Sequence, residues 1–388
     1  MCACRSSTST VLLAFTISIP FSPLVISTPS TATNVAEAID DGCLLQLHSH
    51  SATQAITAAW TCPTCRLGAS TPDAGRLYFR ERTDGVGIRA VSLIHDMAVA
   101  ARYGLLFGGL LVSNNDNCHG EDCHRVVLDL LGVRDEEVLV RAKQRPTFSH
   151  VYPRLHDLQS VFVNASAGEG SNILVKDRFI GNNCCGKGYI GIDKYLTPSF
   201  LQALRSQSSI LLRPVRHFAR GKTSVAMHVR RGDVGQPEAF VGPASTKLIH
   251  QQRWLEDEAY YELATRVRRL IPDADVHVFS TTKDGNWSSA DFDGYRQRGM
   301  YVHLDEDVLD DWAHMSQADV LITGPSSFSY APAVLNRGCI VYQPFCYEPL
   351  GAWIPSNASA AVFERRIQEC RKASKASQNG VKRFLGER

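Results

Sequence analysis

SVAMHVRRGDVGQPEAF, residues 224–240, decides how the rest of the chain is read. An apolar run of strand character ends in two adjacent arginines, a glycine and an aspartate, and a glutamate follows five residues later. Charges crowded in this way repel and lose solvation unless something charged is held between them. Parallel sheets collect ligands just past the carboxyl ends of their strands, which is where Arg230 and Arg231 fall. Arginine presents a planar, permanently charged fork that matches phosphate oxygens, so two of them suit a diphosphate. Gly232 allows close approach of the backbone, and Asp233 can orient a guanidinium.

Downstream, apolar spacing predicts a helix over residues 256–270, a strand at VHVFST (276–281), a helix over 308–315 and a strand at ADVLIT (318–323). Gly324 and Pro325 turn the chain, Ser326 or Ser327 caps a short helix reaching Asn336, and CIVYQP is a further strand. Upstream, RLYFRER (76–82) alternates like a strand and meets the glycines of TDGVGIRA; residues 88–102 have helical spacing, and LLFGGLLV (105–112) reads as a buried strand. Strands alternating with helices make a parallel sheet, and the chain does this twice. Residues 114–195 carry scattered Gly, Asn and Cys that read as long disulfide-tied loops, with a helix over 126–131; a second helix is expected over 197–218. An amphipathic helix is expected over 359–374, followed by a loose basic tail. The division is then a leader (1–28), a stem-like lead-in (29–72), an α/β domain on the acceptor side (73–218), a second α/β domain with the arginine motif (219–352) and a C-terminal helix and tail (353–388).

The 388 residues give room for two domains. Lys and Arg number 41 against 39 Asp and Glu, a balance that argues against nucleic acid and for a small, locally held anion. TVLLAFTISIPFSPLVI (10–26) has no charge and reads either as a cleaved signal peptide or as an uncleaved signal-anchor, since Pro20 and Pro23 would break a core helix in water. Either reading sends the remainder into the secretory pathway, with the Golgi lumen (as a single-pass membrane protein) or secretion as the destination. Sequons at Asn164, Asn286 and Asn357 fit that route. Of twelve cysteines, Cys2 and Cys4 precede the apolar run; the remaining ten read as disulfides in an oxidising lumen. Zinc ligation by CPTC (62–65) and CHGEDCH (118–124) is the alternative, but the second cluster lacks a matching C-x-x-C spacing.

HVRRGD at residues 228–233 resembles a motif of the α1,2-, α1,6- and protein O-fucosyltransferase superfamily. In the α1,6 branch a glutamate follows the motif aspartate after five residues, and Glu238 stands at that offset from Asp233. DWAHMSQADVLITGPSSFSYAPAVL (311–335) looks like the superfamily's third motif, with SQAD closer to the α1,6 branch and SSFS closer to the α1,2 branch. RWLEDEAYYELATRV, between the two motifs, has the expected aromatic-helix character. The resemblance covers about residues 221–345 well and the first half in outline. Val234 stands where the α1,6 branch has a lysine, and Thr281 and Thr282 replace an acidic pair that often ends the intervening strand.

The resemblance implies a GT-B-like pair of facing Rossmann-type domains that transfers fucose from GDP-fucose to a glycan or glycoprotein hydroxyl, with inversion and without a metal or other cofactor. Carried over by position, Arg230 and Arg231 would hold the pyrophosphate and His228 and Asp311 would lie at the guanosine. Ser326, Ser327 and Phe328 would sit near the donor, and Glu238 would be the base. Two other readings stay open. Asp305 and Asp307 offer a D-x-D site for a metal-dependent glycosyltransferase, and a non-catalytic lumenal protein could bind a sugar nucleotide or glycan without turnover.

Overall fold

The structure, a computed structural model, describes residues 75–82, 85–112, 123–134, 138–155, 171–177, 194–235 and 251–385. The apolar run at 10–26, the lead-in, Glu238, Asn164 and Cys62, Cys65, Cys118, Cys184 and Cys185 lie outside those residues. No described helix is long and apolar enough to cross a membrane.

Two all-parallel sheets organise the chain. The first contains β1 (Arg76–Arg80), β2 (Leu106–Leu111), β3 (Leu139–Val140), β4 (His150–Arg154) and β5 (Asn172–Asp177), in the order β3-β2-β1-β5-β4. Helix α1 (Val86–Arg102) crosses from β1 to β2, and α2 (Cys123–Leu131) follows β2. Helix α3 (Pro198–Gln207) leads toward the second sheet. That sheet contains β6 (Thr223–His228), β7 (Ala274–Ser280), β8 (Tyr301–Leu304), β9 (Val320–Ile322), β10 (Cys339–Tyr342) and β11 (Ile354–Pro355), in the order β11-β10-β9-β6-β7-β8. Its helices are α4 (Asp257–Leu270), α5 (Asp293–Gln297), α6 (Val308–Gln317), α7 (Ser327–Leu335) and α8 (Ala360–Leu385). The result is a GT-B-like α/β fold with two Rossmann-type halves.

In each sheet the strand order reverses at one place. The chain runs from β6 out to β8, then returns to the other side of β6 with β9, so the carboxyl ends of β6 and β9 flank the reversal. The first sheet reverses between β1 and β5. Crevices for ligands open at such points, because the loops on either side leave in opposite directions. The strands themselves are sealed: Val225, Ala226 and Met227 of β6 are fully buried, as the helices covering both faces require. One apolar core joins the halves, running from Leu77, Phe79 and Ile94 to Trp312, Tyr330 and Leu335.

Several expectations are corrected. The helix expected over 197–218 stops at Gln207, where the Ser208 hydroxyl donates to the Leu130 carbonyl; a 3₁₀ turn (Ser209–Leu212) and an irregular segment follow. Residues 114–195 contain three strands as well as loops, and β4 carries Pro153, which only an edge strand tolerates. The C-terminal helix continues to Leu385 where a loose tail was expected. Cys123 is disulfide-bonded, which removes it as a zinc thiolate. Cys346 is likewise in a disulfide, and Cys339 pairs with Cys370, tying α8 to β10.

Candidate active site

The two reversal points are brought face to face. Gly87, in the first turn of α1, lies so close to the start of α7 that a Cβ there would fall 2.5 Å from the Phe328 backbone nitrogen. Only glycine fits at position 87, so that glycine of TDGVGIRA is a packing requirement between the halves, whereas a Cβ at Gly85 would meet nothing within 4 Å. The N-termini of α1 and α7 therefore converge, one from each half, and their unpaired N–H groups make that spot electropositive. No side chain caps α1. Ser326 caps α7, its hydroxyl accepting from the Phe328 N–H at 3.2 Å.

Around this meeting point stand the residues past β6. His228 is buried, its ring 5.1 Å from that of Phe328, and its Nδ1 has no partner. Burial, helped by Arg230 and Arg231, holds its pKa down to about 3, so the ring is neutral and can exchange a hydrogen bond with a ligand. Trp312 packs on the same Phe328 at 5.4 Å and donates to its carbonyl at 2.9 Å. Next to Trp312, Asp311 is buried with its Oδ1 unpartnered. Burial, and then the carboxylates of Glu306, Asp307, Asp310 and Asp305, push the Asp311 carboxyl well above its usual range.

The two arginines of the motif have different surroundings. Arg231 is 2% exposed; its guanidinium lies 4.2 Å over Trp254, pairs with Asp257 and donates to the carbonyls of Arg230 (2.7 Å) and Leu255 (3.3 Å). Its terminal nitrogens are thus engaged by protein groups, at the position where the motif resemblance implies a pyrophosphate contact. Arg230 is more accessible; among the described residues it pairs with Asp233 alone and its Nε has no partner. Burial lowers its pKa, as does nearby Arg253, while Asp233 opposes the shift. Arg253 also has an unpartnered Nε. Arg253 lies close enough to Arg230 to lower its pKa, so two guanidinium groups are brought near each other beside Asp233, which pairs with Arg230. Sequence reading missed Arg253; its place just before the aromatic helix was the signal. Gly232 adopts φ +69°, turning the chain sharply after the arginines.

The remaining residues take structural positions. The Ser327 hydroxyl shares a hydrogen bond with Tyr347 Oη at 2.9 Å. Asp305 accepts from both threonine hydroxyls, Thr281 and Thr282, at 2.6 Å and from the Thr282 N–H at 2.9 Å. Asp307 caps α6 through Leu309 and Asp310 N–H and meets Arg213 at 3.3 Å. Both carboxylates thus have protein donors, Asp305 through both oxygens and Asp307 through Oδ1. On the first sheet, past the end of β1, Glu81 is buried between Arg89 at 2.9 Å and His124 at 2.6 Å, a polar trio that sequence reading did not single out.

No protein-family model and no curated protein matches the sequence. Among solved structures, the chain is similar to POFUT1 in complex with GDP-fucose, at 14% identity and a TM-score of 0.35 over 70% of this chain and 96% of that one. It is also similar to a glycosyl transferase of family 9 from Veillonella parvula, at 11% identity and a TM-score of 0.35, over 78% and 97% of the two chains. A putative UDP-N-acetylglucosamine 2-epimerase from Listeria monocytogenes matches at 9% identity and a TM-score of 0.34, over 77% and 88%.

Proposed function

We propose that this chain is a glycosyltransferase that uses a nucleoside diphosphate sugar as donor. More narrowly, it transfers fucose from GDP-fucose to a hydroxyl of a glycan or glycoprotein, with inversion. The observation that carries the reading is the closeness of the Arg230 and Arg253 guanidinium groups just past β6, at the reversal point of a parallel sheet where two helix N-termini converge. A departing diphosphate gains negative charge as the bond to the sugar breaks. Fixed cations and N–H groups aimed at it supply stabilisation of about 3 kcal/mol per well-placed donor. These groups take the part that a metal ion plays elsewhere, so the reaction needs none.

The guanosine follows from Asp311 and His228. A carboxylate accepts two hydrogen bonds from guanine N1 and N2, a pattern uracil cannot reproduce, and an unpaired buried carboxyl penalises the wrong base. In the transfer step the acceptor oxygen attacks the anomeric carbon on the face opposite the diphosphate. The bond from that carbon to the phosphate oxygen breaks and its electron pair leaves on GDP. The acceptor proton passes to a base, for which the motif resemblance proposes Glu238. Arg231 acts through its neighbours, fixing the backbone carbonyl of Arg230 and the start of α4. The Cys339–Cys370 disulfide favours an oxidising compartment, supporting a lumenal or secreted enzyme, attached to the membrane where the 10–26 run is retained.

Calorimetry with GDP, UDP and GDP-fucose tests this. GDP should bind at least tenfold tighter than UDP, and Arg230→Ala and Arg253→Ala should each weaken GDP by tenfold or more. Equal affinity for GDP and UDP would overturn the guanosine assignment. Unchanged affinity in both variants would overturn the diphosphate site itself.

A further inference from the structure

Away from this site, at the outer edge of the second sheet, four histidines surround one glutamate. His303 lies on the edge strand β8, His277 on β7, His314 on α6, and His217 on the segment entering β6, which joins the two halves. Glu306 meets two of them, Oε2 lying 2.9 Å from His217 Nε2 and Oε1 3.3 Å from His303 Nδ1. The imidazole nitrogens and the carboxylate of this trio all lie within 4.8 Å of one another.

We propose that His217, His303 and Glu306 form a binding site for a divalent transition cation of the zinc class, fastening the inter-half segment to the sheet edge. A tetrahedral ion with bonds of about 2 Å needs its ligand atoms about 3.4 Å apart. The separations of 2.9 and 3.3 Å from the glutamate oxygens to His217 and His303 are close to that, so binding asks for shifts of side chains rather than of backbone. Two imidazoles and a carboxylate suit zinc or cobalt better than magnesium or calcium, which prefer all-oxygen shells. Side-chain exposures of 23%, 12% and 27% for His217, His303 and Glu306 leave an opening through which water can complete the shell.

The surrounding groups hold these ligands in place. His303 Nε2 is met by His277 Nδ1 at 3.0 Å, so the nitrogen facing away from the ion has the partner that fixes its ring and tautomer. The His217 backbone N–H donates to His314 Nε2 at 3.2 Å. That contact assigns the His314 proton to Nδ1, which donates to the Asp310 carbonyl at 2.7 Å. The His217 ring is stacked between His303 at 4.0 Å and His314 at 4.6 Å. Ligands from two places in the chain, His217 on one side and His303 with Glu306 on the other, are what a structural ion uses to close a loop.

The test uses the untagged full chain, stripped by chelation and titrated with Co²⁺ under visible spectroscopy. One equivalent should bring up the ligand-field bands of a four- or five-coordinate site. His217→Ala, His303→Ala and Glu306→Gln should each lose at least tenfold in affinity, while His150→Ala, on the first sheet, should not. Zn²⁺ should displace Co²⁺ and raise the melting temperature of the wild type but not of Glu306→Gln, whose near-native shape keeps the comparison valid should a histidine variant fail to fold. Absence of a one-equivalent spectrum, or a spectrum retained by all three variants, would overturn the proposal. GDP affinity after chelation reports on the donor site separately and should be unchanged.

Discussion

Side chains of neighbouring residues in extended backbone point to opposite sides, and the two arginines after β6 follow that rule. Arg231 goes inward to Asp257 and Trp254, and Arg230 goes to Asp233, near Arg253. Arg231→Ala should therefore lower unfolding free energy by roughly 2–4 kcal/mol, because it strands Asp257 and opens a space under Trp254. Arg230→Ala should change stability by less than about 1 kcal/mol while weakening GDP. Urea titration separates the two; equal loss of stability would refute the division of roles. Asp311 carries a second prediction. Burial and the neighbouring carboxylates raise its pKa and so favour the protonated form in the empty protein, whereas guanine needs the carboxylate. Binding then releases a proton, so GDP affinity rises with pH, by up to about tenfold per unit below the raised pKa. Calorimetry in buffers of different ionisation enthalpy should detect that proton, and Asp311→Asn should abolish it.

At the level of elements, the contact between α1 and α7 joins the halves through one glycine. Gly87→Ala would drive a methyl group into the Phe328 backbone, which has no freedom to yield, whereas alanine is otherwise the better helix former. Loss of stability together with weakened GDP binding is expected; a stabilised variant with native affinity would mean that the helix N-termini do not meet as described. The second half was legible because each strand and helix there is long enough to show its period and is bounded by Gly, Pro or a capping serine, as Ser326 illustrates. The strands β4 and β5 were not legible: one is five residues with a proline on a sheet edge, the other six residues ending in Lys and Asp, too short to show a period. Ser208 ended a helix by a contact with Leu130, which lies 78 residues away in sequence and leaves no local trace. In the site, the arginines, His228 and Asp311 could be located from motif and edge position. The separate fates of Arg230 and Arg231 could have been drawn from strand alternation, but the place of Arg253 depends on how α4 docks.

For the molecule as a whole, the buried neutral histidine at the crevice ties stability to pH. His228 has a folded pKa of about 3 against an ordinary value of 6.5. As pH falls below 6.5 the unfolded chain takes up a proton there and the folded chain does not, so its contribution to stability is intact above 6.5 and drains away down to about pH 3. The slope from this one group approaches about 1.4 kcal/mol per pH unit. Asp311 works in the opposite sense over part of the same range, since its raised pKa lets the folded state hold a proton that the unfolded state gives up. Comparison with His228→Gln cancels that term, because both proteins keep Asp311. Urea midpoints measured at pH 7, 6 and 5 should fall more steeply for wild type than for His228→Gln, with the two curves drawing together toward acid. Parallel curves would mean that His228 is solvated and charged in the folded protein, and the crevice would then be wider and wetter than this packing allows.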